Sequence, residues 1–188
     1  MIKEYKEQVI KSEHWLEKPS FIKSTLQIIN KNFKKHEILT VLDTGCGQGR
    51  GTFKLSKLGL ILEGLDSNPK FIKEAKKNYP KIRFSIGDIE DLPYPSESFN
   101  IVLCINTLFY TNVNKSLPEI ERVLTKRGIA IITLDEKIIN LDENEVIYLL
   151  NIDKTLKLLK KSTILSKKYK IEVDRHKHLY WEVVFRRN

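Results

Sequence analysis

Residues 41–53, "VLDTGCGQGRGTF", set four glycines into thirteen positions directly behind a short apolar run. Glycine takes positive φ at no steric cost and lets a ligand approach the backbone, so the stretch reads as a strand entering a tight turn before a helix. Three readings compete for that turn. A phosphate cradle requires G-x-x-x-x-G-K-[ST], but Arg50 and Gly51 stand five and six positions after Gly45, with no Lys-Ser or Lys-Thr. A dinucleotide fingerprint, G-x-G-x-x-G, needs glycine at 50 or 52, where Arg50 and Thr52 occur. What remains is Gly45-x-Gly47-x-Gly49 preceded by Asp43. A carboxylate at the end of the first strand repels a pyrophosphate and suits a ligand bearing an ammonium or sulfonium.

Working outward, five short apolar runs, "ILTVLD" (38–43), "LILEGLD" (60–66), "IRFSIGD" (82–88), "FNIVLCIN" (99–106) and "GIAIITLD" (128–135), read as buried parallel strands. Helical segments are expected at 2–14, 20–35, 50–58, 69–78, 115–126 and 143–160. The fourth of these opens on Asn68 with Pro69 at the first helical position, and Gly59 and Gly128 close the third and fifth. Residues 88–98, with Pro93 and Pro95, read as a loop, and "YKIEVD" with "LYWEVVFRR" near the C-terminus as a β-hairpin. This alternation predicts a single three-layer α/β domain, with residues 1–37 as a helical cover and 38–188 as the core.

Ligands of such sheets sit at the carboxyl ends of the strands. Three successive runs end there in an acid: Asp43, Asp66 and Asp88. Asp66 can accept both hydroxyls of an unphosphorylated ribose, and Asp88, with the backbone of Ile89, can meet the amino edge of an adenine. Glycines alone would equally serve a plain turn; the acids in register separate the two.

In order and spacing, "VLDTGCGQGRGTF", "GLDSNPKFIKEAKK", "GDIEDLPYPSESFNIVLC" and "EIERVLTKRGIAIIT" resemble the motifs of class I S-adenosylmethionine-dependent methyltransferases. The similarity is closest to the branch of small-domain enzymes that methylate small molecules; it is strong over about residues 38–134 and weaker over "WEVVFRR". The resemblance implies a Rossmann-like sheet of seven mostly parallel strands with an antiparallel last strand, and S-adenosylmethionine as cofactor. Carried over, Asp43 orients the methionine ammonium and Gly45, Cys46, Gly47 and Gly49 form the loop around it. Asp66, with Ser67 beside it, holds the ribose, Asp88 and Ile89 bind the adenine, and Asn106 lies beside the methionine arm. Asn100 departs from the family, which usually has an acid there; the position opens a strand at the end away from the ligand.

Methyl transfer from a sulfonium is an in-line displacement that positioning and desolvation can drive. No general base stands out; Tyr110, His14 and Asn106 are candidates by position. A small-molecule acceptor is expected. "CINTLFYTN" (104–112) lacks the [DNS]-P-P-[YFW] signature by which nucleic-acid amino methyltransferases resemble one another. An RNA or protein acceptor using the basic C-terminal region is the first alternative, and a non-catalytic cofactor-binding subunit the second.

The net charge of +9 is uneven: residues 151–188 carry eleven basic against four acidic side chains, whereas 38–150 are near balance. Lysine dominates arginine, as in an ordinary solvated surface. No stretch approaches the roughly 18 to 20 uncharged apolar residues of a membrane helix, and "MIKEYKEQVIKSEH" is too charged for a signal peptide, so a cytoplasmic setting without membrane association is expected. Cys46 and Cys104 are too few for a disulfide framework or a thiolate metal site. His176 and His178 lack a third ligand, so no metal is expected. Tyr5 and Trp15 either cap the cofactor or pack the N-terminal helices onto the sheet.

Overall fold

The computed structural model describes residues 19–34, 37–140, 145–173 and 176–188. The expected helix over 2–14, together with Tyr5, His14 and Trp15, lies outside the described residues.

The strands are β1 (Thr40–Thr44), β2 (Ile61–Asp66), β3 (Arg83–Ile86), β4 (Phe99–Cys104), β5 (Leu124–Asn140), β6 (Glu145–Tyr148), β7 (Ser162–Val173) and β8 (His176–Arg187). The helices are α1 (Pro19–Asn32), α2 (Arg50–Ser56), α3 (Pro69–Asn78), α4 (Val113–Val123) and α5 (Ile152–Leu156). The main sheet runs β3-β2-β1-β4-β5-β8-β7, with β6 paired to β5. Strands β1 to β5 are parallel, and β8, last in the chain, inserts antiparallel between β5 and β7. This is the expected three-layer Rossmann-like α/β architecture, with β6 as an eighth strand beyond the expected seven.

The central parallel strands β1 and β4 and the first part of β5 are buried on both faces, which is why their runs are largely apolar rather than alternating, whereas the edge strand β3 exposes Arg83 and Ile86. On one face α1 and α2 supply Phe21, Ile29 and Leu55 against Val41, Leu103 and Ile131. On the other, α4 packs Leu117, Ile120 and Val123 on Leu42, Val102 and Ala130. Asn68 caps α3 by accepting from the Lys70 N–H, as its position before Pro69 predicts. Asn100 accepts from the Thr40 N–H and hydroxyl, both at 3.0 Å, tying β1 to β4 at their amino ends, away from the carboxyl edge.

Two helix expectations fail. The helix placed at 115–126 stops at Val123, because Leu124 already pairs with Phe99 and begins β5; Arg127 (φ 65), not Gly128, takes the left-handed turn. The helix placed at 143–160 is mostly absent. Residues 145–148, "EVIY", pair with the end of β5 as β6, and only Ile152–Leu156, capped by Asn151, is helical. Cross-strand pairing outweighs helical patterning where β-branched and aromatic residues find a partner strand. The terminal hairpin is present but begins seven residues before "YKIEVD", at Ser162.

Strand β4 ends at Cys104, level with Ile132, whereas β5 continues eight residues to Asn140, about 26 Å at about 3.3 Å per residue. With β8 and β7 it forms a wall rising beyond the carboxyl edge of the parallel strands.

Candidate cofactor and acceptor site

The glycine loop leaves β1 as the sequence requires. Gly45, Gly47 and Gly49 have φ of 71, 54 and 77°, all in the left-handed region. A side chain at Gly45 is excluded twice, since a Cβ there would lie 2.1 Å from the Thr107 Oγ1. The loop is then stitched to β2. The N–H groups of Gly45 and Cys46 donate to the Leu65 carbonyl at 2.7 and 3.1 Å, and the Gly47 N–H donates to Asp66 Oδ2 at 2.8 Å. Asp66 Oδ1 accepts from the Asn68 N–H at 2.8 Å, which fixes the carboxylate between the loop and α3. Ser67 is exposed beside it. Gly49 opens α2, its carbonyl accepting from the Phe53 N–H.

Asp43 is wholly buried on β1. Its Oδ2 accepts from the Thr52 hydroxyl of α2 at 2.6 Å, but Oδ1 has no partner among the described residues. Burial raises its pKa from 3.8 to about 7, the Thr52 hydroxyl opposing and the Asp66 charge adding to the shift. A buried carboxylate oxygen with no donor is a vacancy for one. An ammonium meets that need; a pyrophosphate does not.

Asp88 is exposed at the end of β3, its Oδ1 accepting from the Glu90 N–H, while Ile89 is buried under it. The Gly87 N–H donates to the Asp66 carbonyl, so this loop is tied to the ribose-side acid. Arg122 clamps the loop from α4, donating to the carbonyls of Leu92 and Tyr94 and to the Glu119 carboxylate, which it holds below its ordinary pKa.

After β4, Asn106 turns at φ 52, and its N–H donates to the Thr133 hydroxyl at 2.7 Å. The chain then makes a single 3-10 turn, Leu108–Tyr110. The Tyr110 phenol proton is held above its ordinary range by burial and by the charge of Asp135. Thus Asp43, Gly45, Cys46, Gly47, Gly49, Asp66, Ser67, Asp88, Ile89, Asn106 and Tyr110 all lie at one edge of the sheet. Cys46 packs with Ile72, Ala75 and Phe84, whereas Cys104 lies in the opposite core; both are free and buried, with thiols pushed up by desolvation. Among the described residues no cluster could hold a metal ion.

Sequence reasoning missed four residues. Thr52, Thr107 and Thr133 carry no signal in a single chain, since only folding brings them to Asp43, Gly45 and Asn106. Asp135 did carry one, because it ends "GIAIITLD" as Asp43, Asp66 and Asp88 end their runs. It is 1% exposed, and neither oxygen has a hydrogen-bond partner in another of the described residues.

The Rossmann-like sheet and the glycine loop set between Asp43 and Asp66 agree with the class I S-adenosylmethionine-dependent methyltransferases that the sequence motifs resemble. Comparison with known proteins points the same way: residues 42–132, just under half of the chain, match the family model described as "Methyltransferase domain". It is 35% identical over 95 residues to the uncharacterized methyltransferase YodH of Bacillus subtilis, covering 48% of this chain and 41% of that one. It is 36% identical over 93 residues to the phthiotriol/phenolphthiotriol dimycocerosates methyltransferase of Mycobacterium leprae, covering 47% and 34%. The chain thus spans about half or less of the length of these relatives. The crystal structure of PH0226 protein from Pyrococcus horikoshii shares the fold, with TM-score 0.72 at 19% identity over 95% of this chain and 93% of that one. A SAM-dependent methyltransferase from Methanosarcina mazei does so with TM-score 0.71 at 17% identity, covering 85% and 96%. The family implies S-adenosylmethionine as cofactor, and the residues present fit it: Asp43 offers the vacant acceptor, the glycines an open backbone, and Asp66 a fixed carboxylate with lone pairs to spare.

Proposed function

We propose that this protein transfers a methyl group from S-adenosylmethionine to a small-molecule acceptor in a cytoplasmic setting. The observation that carries the reading is the pair formed by Asp43, with one buried oxygen unpartnered, and Asp66, hydrogen-bonded to the glycine loop at Gly47. When bound, the cofactor supplies a methyl group made electrophilic by the sulfonium. The protein's part is to bind, orient and exclude water. Asp43 takes the ammonium, Asp66 the ribose hydroxyls, and the Asp88–Ile89 turn the adenine. Asn106, fixed through Thr133, and Tyr110 border the acceptor side.

A small acceptor is favoured over RNA because "CINTLFYTN" lacks the nucleic-acid signature and four of the eleven basic side chains of residues 151–188 make contacts within the protein. Lys170 is paired with Glu182 at 2.6 Å and Lys167 lies over the Trp181 ring. Arg186 donates to Asn32, and Arg187 donates to the Leu124 carbonyl and pairs with Glu97. Among the described residues no helix is long and apolar enough to cross a membrane.

Calorimetric titration with S-adenosylhomocysteine, with NAD as competitor and Asp66→Ala as control, tests the cofactor assignment. Binding that is lost in the variant and indifferent to NAD is expected; displacement by NAD, or no binding by the wild-type protein, overturns it. An RNA acceptor would instead show association that weakens steeply with salt.

A further inference from the structure

The cofactor reading absorbs Asp43, Asp66 and Asp88 and leaves one acid unexplained. Asp135 lies where β5 leaves the parallel sheet. It is on the face shared with Thr133, four residues beyond Ile131, which is level with Asp43 through Leu103. That puts it about 13 Å further along the strand direction, two strands over, past the end of β4. It therefore belongs to the acceptor side of the edge rather than to the glycine loop.

Three observations single it out. Its carboxylate is buried yet has no partner among the described residues, neither a basic side chain nor a hydroxyl. A β-bulge follows at once, with the β5–β8 register slipping between Asp135 and Lys137. Bulges beside sites re-aim a side chain, and here the neighbours are all otherwise engaged. Glu136 accepts from Trp181 Nε1 at 3.1 Å, and the carbonyls of Asp135 and Glu136 accept from the N–H groups of Leu150 and Leu149. Finally, no cation among the described residues offsets the effect of burial on this carboxylate. The Tyr110 phenol and the Cys104 thiol both feel its charge. A buried acid without a counter-charge is costly unless a ligand brings one.

We infer that Asp135 is the anchor of the acceptor subsite and that it holds a protonated amine as a recognition group, so the methyl acceptor is a small molecule bearing an ammonium, with a different atom that carries a free lone pair as its nucleophile. This rests on the methyltransferase reading of the same edge. An anionic acceptor would meet Asp135 as a like charge, and an alcohol would leave the carboxylate without its counter-ion.

The test uses the full chain saturated with S-adenosylhomocysteine, with the Asp135 carboxyl observed by carbon-13 NMR of labelled aspartate and assigned through Asp135→Asn. Dimethylammonium, trimethylammonium and tetramethylammonium chlorides are titrated at constant ionic strength, with isopropanol and tert-butanol as neutral analogues of similar shape. Ions this small bind in the micromolar to millimolar range at best, within reach of such titrations. The expected result is a saturable displacement of the Asp135 signal by at least one ammonium ion, at least tenfold tighter than its neutral analogue. A response equal for alcohols and ammonium ions, or none for either, overturns the inference. Asp135→Asn should keep S-adenosylhomocysteine binding within about threefold and lose the ammonium response elsewhere in the subsite; persistence of that response also overturns it. Failure of S-adenosylhomocysteine to bind the wild-type protein would strike the cofactor reading instead, so the two failures are distinct.

Discussion

Replacing Asp43 by Asn should make the ligand-free protein more stable while impairing its site. The carboxyl ionises near 3.8 when unfolded and near 7 in the buried site, desolvation being the main cause. At about 1.36 kcal/mol per tenfold change, that displacement corresponds to about 4 kcal/mol. Between the two pKa values the folded state holds a proton that the unfolded state has lost. Stability therefore falls as pH rises through this window, and the deficit is complete above about pH 7. Asn carries no charge to desolvate and can still accept from Thr52, but it leaves an amide donor without a partner, which costs about 1–3 kcal/mol. The net expectation is a gain of about 1–3 kcal/mol at about pH 8, or about 3–10 °C in melting temperature for a chain of this size. At about pH 5, where the wild-type carboxyl is already neutral, the two proteins should differ little. Thermal melts or urea titrations at both pH values measure the difference of differences, so contributions from other groups cancel. S-adenosylhomocysteine should bind the variant at least tenfold more weakly. An offset that is the same at both pH values, or a variant no more stable at high pH, would refute the assignment of Asp43 as a buried charge awaiting a ligand cation.

Thr52→Val removes the hydroxyl that lowers the Asp43 pKa. It should move the pH-dependent fall in stability upward, as melts across about pH 5 to 9 would show. Gly45→Ala meets both φ 71 and the Thr107 side chain. It should destabilise by at least about 1–3 kcal/mol and abolish S-adenosylhomocysteine binding in calorimetry. Adding Thr107→Ala should recover only part of the loss, because the backbone conformation remains strained. Arg122→Ala removes the clamp on the carbonyls of Leu92 and Tyr94. It should cost about 2 kcal/mol in urea unfolding and increase hydrogen exchange in residues 88–98 more than in the glycine loop.

Much of the fold was legible because its signals are local. Each parallel strand is a short, mainly apolar run bounded by turn residues, and Asn68-Pro69 and Gly59 mark element ends through backbone rules that act within a few residues. The boundaries at 123/124 and the segment 143–160 were misread for the opposite reason. Whether "EVIY" becomes helix or strand depends on the free edge of β5, which no window of the sequence displays. At the site, Asp43, Asp66, Asp88 and the glycines could be placed by register alone, since acids and turns at strand ends must gather at one edge of a parallel sheet. Asp135 obeys the same rule, ending "GIAIITLD" as the other three acids end their runs.

By itself, then, the sequence determined a parallel α/β sheet, the edge at which a ligand binds, and a cofactor with cationic and ribose groups. It did so because period, glycine tolerance and like-charge repulsion are properties of a residue and its near neighbours. Only the tertiary structure decided which acids are without partners. Thr52 reaches Asp43 from α2 and the Gly47 N–H reaches Asp66 from the glycine loop, whereas no hydrogen-bond donor among the described residues reaches the Asp135 carboxylate. Burial and hydrogen-bond satisfaction are relations between distant segments, and they separate an acid that holds the loop in place from one that is buried without a partner among the described residues.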